Sequence, residues 1–147
     1  MTRNINTAGL DLIQEFEGCR LRAYPDPGTG GAPWTIGYGH TGPEVHPDSV
    51  ITHDQADKYL EADLHRFEDG VSRLAPKCTD NQFAALVSFA YNVGLGNLSG
   101  STLLKRHNAG DYAGARAEFC KWDHMNGRVS SGLERRRGAE AMLYTKE

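Results

Sequence analysis

The sequence predicts an α+β fold, with a small β lobe between a first helix and a long series of further helices. Three observations predict it. A helical period over residues 6–17 stops at Gly18. From Cys19 to about Val50 that period is lost, and Gly, Pro and aromatic residues take over. Helical periods resume at Thr52 and persist through the C-terminal region. An order of helix, small sheet and many helices is α+β layering in two lobes. The expected boundaries are about 19–51 for the β lobe, 1–18 with about 75–147 for the helical lobe, and 52–74 for a connecting helix, all within one domain of 147 residues.

The first helix has Asn6 or Thr7 as its cap and Gly18 as its stop. At 100° per residue, Ile5, Leu12, Phe16, Ile13 and Leu10 share one arc, and Gln14, Asp11 and Glu15 fill the opposite one. Glu17 falls inside the apolar arc, between Ile13 and Leu10. It also lies in the last turn, where the helix carries partial negative charge. Burial and the dipole both disfavour an ionised carboxylate there, and a retained proton is what a general acid needs. The plainer alternative is a frayed terminal residue at the surface.

Leu21 to Tyr24 and Trp34 to Gly39 read as short strands, with Pro25 to Pro33 as a turn-forming loop between them. Thr52-His53-Asp54-Gln55 is a capping box. The helix it opens carries Ala56, Tyr59, Leu60, Asp63, Leu64, Phe67 and Val71 on one stripe and, at ~1.5 Å per residue, is long enough to bridge two lobes. Thr79-Asp80-Asn81-Gln82 is a second capping box, opening the most apolar helix, which Gly94 and Gly96 stop. Shorter helices are expected at about Ser101 to His107, Asp111 to Trp122 and Leu133 to Tyr144.

Composition excludes several classes. Hydrophobic content of 39% with 24% charged residues is that of a globular chain. A net charge of −3 provides no basic field for nucleic acid, so no nucleic-acid partner is expected. The cluster Arg135, Arg136, Arg137 reads as the solvated face of a helix. No apolar stretch approaches the ~18 residues of a membrane span, and the N-terminal residues lack a signal pattern. Synthesis in a cytoplasm and no membrane insertion are therefore expected. Cys19, Cys78 and Cys120 are odd in number, without a CxxC, so reduced thiols mostly packed in the core are expected rather than a disulfide framework or zinc.

The chemistry concentrates in two runs, Glu17-Gly18-Cys19-Arg20-Leu21-Arg22-Ala23-Tyr24-Pro25-Asp26 and Trp34-Thr35-Ile36-Gly37-Tyr38-Gly39-His40. Two carboxylates and a hydroxyl that can position water suit glycoside hydrolysis with inversion. Taken alone, Asp26 between two prolines also reads as a turn former, and Thr35 as an ordinary strand residue. The pattern E-G-x-R-L-x-A-Y-x-D…W-T-I-G-Y-G-H resembles the phage lysozyme (endolysin) family, glycoside hydrolase family 24. The resemblance extends through Ile51-Thr52, Phe89-Ala90-Tyr91-Asn92-Val93-Gly94, Gly100-Ser101-Thr102-Leu103-Leu104 and Gly132-Leu133.

The resemblance implies a lysozyme-like two-lobe fold and cleavage of the β-1,4 bond between N-acetylmuramic acid and N-acetylglucosamine in bacterial peptidoglycan. By matching position it implies Glu17 as general acid, Asp26 as the carboxylate that activates water, and Thr35 as the hydroxyl beside that water. It implies Asn92 and Tyr38 as substrate-binding residues, and one arginine of the cluster approaching the catalytic Glu. It also places His40 opposite Asp63, whose carboxylate breaks an apolar stripe and needs a partner, so the two are expected to form a structural ion pair. No cofactor and no metal are implied. A monomer is expected that reaches the wall from the host cytoplasm once a separate holin has permeabilised the inner membrane. Rival readings are a lytic transglycosylase, which needs no water-holding pair, and an inactive peptidoglycan-binding module.

One departure bears on Thr35. Asp26 and Thr35 have eight residues between them, more than is common in the family. The surplus falls in the Gly28–Pro33 tip, where each doubling of loop length costs only about 0.6 kcal/mol. The strand register of Thr35 is therefore expected to survive, with Thr29 the weaker stand-in.

Overall fold

Asn6 starts the first helix by accepting a hydrogen bond at Oδ1 from the Gly9 N–H, 3.0 Å away. This local capping sets the pattern for the computed structural model of the chain, which describes residues 3–27, 29–125 and 127–146. Helix α1 runs Thr7–Glu17 and ends at Gly18, whose φ of +69° is left-handed backbone that glycine adopts without strain. An antiparallel meander follows: β1 (Arg20–Tyr24), β2 (Thr35–Gly37) and β3 (His40–Thr41). Helix α2 (His53–Leu74) starts at the expected capping box. The Gln55 N–H donates to Thr52 Oγ1 at 3.2 Å, and the Thr52 N–H to Gln55 Oε1 at 2.9 Å. Then come α3 (Asp80–Val93), α4 (Leu95–Ser99), α5 (Thr102–Asn108), α6 (Tyr112–Phe119), a hairpin of β4 (His124–Met125) and β5 (Arg128–Val129), and α7 (Ser131–Thr145).

The chain divides into two compact units. One is Glu17–His65, containing the three-stranded sheet and the first part of α2. Its core is small: Ala23, Ile36 and Val45 are buried, with Trp34, Ile51 and Tyr59 packed against them.

The other comprises the described residues of Met1–Phe16 and Arg66–Glu147. Here α3 is enclosed: Phe83, Ala84, Ala85, Leu86, Val87, Phe89 and Ala90 are all buried. Helix α7 packs along α3, and α1 approaches α3 so closely that a Cβ at Gly9 would lie 2.6 Å from that of Ala84. Emptying such a core is expensive; a buried Leu→Ala change typically costs about 2–5 kcal/mol. No helix among the described residues is long and apolar enough to cross a membrane.

The α+β fold is as expected, with four differences in detail. Arg136 and Arg137 are buried, at 3% and 0% exposure, and only Arg135 faces solvent. The reason is a buried carboxylate, Glu140, on the same helix face. The cysteines are not core residues. All three are free thiols, Cys19 and Cys78 half-buried and Cys120 exposed, because each sits at or just beyond an element end. Residues 95–99 form α4 despite their glycines. The β4–β5 hairpin replaces the last turns of the longer helix expected to reach Trp122.

Candidate active site

Glu17, Asp26, Thr35, Tyr38, His40 and Asp63 all lie in the β unit, and Asn92 in the helical one. Glu17 is the last residue of α1 and half-buried, whereas Glu15 on the other helix face is exposed. Strand register relates Thr35 to Asp26. Thr35 pairs directly with Tyr24, so these two side chains share one face of the sheet. Asp26 comes two residues after Tyr24, and at a period of two it returns to that same face. The Asp26 N–H donates to the Gly31 carbonyl at 2.9 Å, and its own carbonyl accepts from Gly30 at 2.7 Å. These bonds close the loop tip directly beyond Asp26.

Tyr24 links this face to the helix end. Burial raises its phenol above the ordinary value, and the nearby Glu17 carboxylate raises it further, against the pull of Arg20. The Arg20 guanidinium lies 5.2 Å from the centre of the Tyr24 ring. Glu17 is therefore within electrostatic reach of the residue that faces Thr35.

Gly28 lies outside the described residues, but the rest of the long tip folds on itself. Thr29 Oγ1 donates to the Ala32 carbonyl at 2.7 Å and accepts from the Gly31 N–H at 3.2 Å. That hydroxyl is occupied within its own loop, whereas Thr35 sits half-buried in the strand. Tyr38 follows β2. Burial raises its phenol, and Cys19 and Asp57 act on it in the same direction through hydrogen bonds.

His40 is buried between two carboxylates. Nδ1 lies 2.8 Å from Asp63 Oδ2, Nε2 meets Glu44 Oε1, and the ring stacks on Tyr59 with centroids 4.0 Å apart. Carboxylates only accept, so satisfying both requires protons on both nitrogens. Burial pulls His40 down, but the bonds to Glu44 and Asp63 outweigh it and raise its pKa. Glu44 was not foreseen. The signal was the turn Gly42-Pro43-Glu44, which folds a carboxylate back to four residues beyond the histidine.

In the helical unit, Asn92 Oδ1 accepts from Arg137 Nη2 at 2.7 Å. Arg137 Nε lies 3.0 Å from Glu140 Oε1, and its guanidinium stands 5.0 Å from the centre of the Phe89 ring. Glu140 Oε2 accepts from Ser88 Oγ at 2.5 Å and from Arg136 Nε at 3.2 Å. Sequence reading missed this cluster, although Glu140 three and four residues beyond the arginines was a visible signal. Among the described residues, no three His, Cys, Asp or Glu side chains are placed to hold a metal ion.

Comparison with known proteins agrees with this geometry. A family model described as phage lysozyme matches residues 14–140. The endolysin of Bacillus phage B103 is 49% identical over 142 residues, covering 96% of this chain and 54% of that protein. The endolysin of Acyrthosiphon pisum secondary endosymbiont phage 1 is 39% identical over 146 residues, covering 96% and 97%. Among solved structures, the muramidase domain of SpmX from Asticaccaulis excentricus superposes with a TM-score of 0.90 at 36% identity, covering 99% of both chains. The chain belongs to the phage lysozyme family. It spans about half the length of the Bacillus phage relatives that it matches.

Proposed function

We propose that this chain is a muramidase of the phage endolysin type, hydrolysing the β-1,4 bond between N-acetylmuramic acid and N-acetylglucosamine in bacterial peptidoglycan. The observation that carries the reading is the shared face of Tyr24, Asp26 and Thr35, with Glu17 acting on Tyr24 from the end of α1. Membership of the phage lysozyme family supports it, as do relatives named endolysin and a structural neighbour named as a muramidase domain.

In this reading Glu17 gives its proton to the glycosidic oxygen as the bond to the anomeric carbon breaks. Asp26 takes a proton from water, Thr35 holds that water, and its oxygen attacks the anomeric carbon from the opposite face. The configuration inverts, no glycosyl-enzyme forms, and solvent exchange returns the proton from Asp26 to Glu17. Tyr38 and Asn92 contact substrate, and the His40–Asp63 pair holds the β unit together. The chain works as a monomer without cofactor or metal, made in the host cytoplasm and admitted to the wall by a separate holin.

Incubation with purified peptidoglycan, with product ends identified by mass spectrometry, tests this. Hydrated muramic acid reducing ends are expected. Glu17→Gln should lower their release by about 10²–10⁴-fold at an unchanged melting temperature. A 1,6-anhydro product means a lytic transglycosylase instead, and wall binding without new reducing ends means a binding module.

A further inference from the structure

Asn92 and Asn97 each present one half of an amide to the same cavity, and their partners decide which half. Arginine has donors only, so the atom of Asn92 facing Arg137 must be the oxygen, leaving Nδ2 as an outward donor. A backbone carbonyl only accepts, so the atom of Asn97 that bonds the Val93 carbonyl at 2.6 Å must be Nδ2, leaving Oδ1 as an outward acceptor. Neither outward atom has a partner among the described residues. Both side chains line a cavity of 330 Å³ in the helical unit, together with Val93, Trp122 and Leu133.

We propose that this cavity is an amide-recognition site, in which Asn92 Nδ2 donates to a ligand carbonyl and Asn97 Oδ1 accepts from the ligand N–H. Trp122 and the aliphatic wall take the adjoining apolar group. The walls are set before a ligand arrives. Trp122 packs edge-to-face on Phe89 with centroids 5.4 Å apart, and Phe89 lies under the Arg137 guanidinium that also fixes Asn92. Arg137 is thus a positioning residue for both the polar and the aromatic wall. The two cations at the cavity are already engaged: Lys121 Nζ is 2.5 Å from Glu118 Oε2, and His124 Nδ1 is 2.8 Å from Asp123 Oδ1. A neutral amide therefore matches the free groups better than a carboxylate does. Two parts of peptidoglycan carry that chemistry, the acetamido groups of the glycan and the peptide bonds of the stem. The choice of ligand rests on the proposed peptidoglycan substrate, whereas the donor and acceptor assignments do not.

The test is an NMR titration of the ¹⁵N-labelled chain with three probes: an N-acetylglucosamine tetramer, the same tetramer de-N-acetylated, and the free stem tetrapeptide. The acetylated tetramer or the tetrapeptide should shift the Asn92 and Asn97 side-chain amides and the Trp122 indole, and which of them does so names the source. The de-N-acetylated tetramer should leave those signals in place. Asn92→Asp keeps an acceptor for Arg137 but removes the donor. It should weaken the binding probe about tenfold while melting no lower than the parent. The proposal is overturned if neither amide ligand moves these signals, if the de-N-acetylated tetramer binds equally, or if Asn92→Asp binds like the parent. Shifts as stated in a chain that releases no reducing ends would leave this site standing and remove the hydrolase. Turnover with shifts confined to other residues would do the reverse.

Discussion

Each unit buries a histidine, and the two are held in opposite charge states. His40 in the β unit is 9% exposed and has a carboxylate at each ring nitrogen. His107 in the helical unit is 2% exposed. Its Nε2–H donates to the Lys77 carbonyl at 2.9 Å, and its Nδ1 accepts from the Tyr144 hydroxyl at 2.6 Å. Those partners suit a neutral ring, and burial lowers its pKa despite the bond to Lys77. Similar burial thus yields an imidazolium in one unit and an imidazole in the other. The partners' chemistry decides the charge, and it differs because the β unit faces its ionisable groups toward each other while the helical unit encloses them among neutral ones.

The enclosed Arg136, Arg137 and Glu140 cluster is the exception within the helical unit, and it provides the largest test of the contrast. Glu140→Ala would leave two guanidiniums buried without their carboxylate, an error that typically costs about 3–5 kcal/mol. Chemical denaturation should report a loss of that size. A loss under about 1 kcal/mol would mean that water reaches the cluster and that enclosure is not what separates the units.

The two histidines should next separate by pH. A raised folded pKa means that the His40 contribution is fully present below the unfolded value of about 6.5 and is lost as pH rises through the raised one. Its partner Glu44, held below its ordinary value chiefly by the bond to His40, contributes above about 4.3 and loses that as pH falls through the depressed value. The β-unit cluster is therefore most stabilising between about pH 4.3 and 6.5. His107 runs the other way: its lowered folded pKa gives a contribution that is present above about 6.5 and lost as pH falls through the lower value. Urea melts across pH should show the cost of His40→Gln shrinking on the alkaline side and that of His107→Gln shrinking on the acid side. NMR titration giving both rings the same direction of shift would erase the contrast.

The smallest expected effects lie in the loop of the β unit. Thr29→Ala removes a hydroxyl bonded only within its own turn and should change lysis less than about twofold and stability by less than about 1 kcal/mol. Thr35→Ala should cripple turnover while melting near the parent. Reversal of that order would mean that the longer tip has rebuilt the water site around Thr29.

The sequence by itself determined the features that rest on neighbours a few residues apart. Both capping boxes, the stop at Gly18, the stripe of α2 and the enclosed character of α3 are local patterns, because a cap or a helical face needs only residues within one or two turns. The runs around Glu17, Asp26 and Thr35 were legible for the same reason, since the α1 end and one hairpin carry all three. Only the tertiary structure decided the fate of charged groups whose partners are far along the chain. Arg136 donates to the Ser88 carbonyl, 48 residues away, and Arg137 to Asn92, 45 away. Period alone marks such arginines as a polar face, because burial of a charge is set by the partner that meets it, and that partner arrives only when α7 packs on α3.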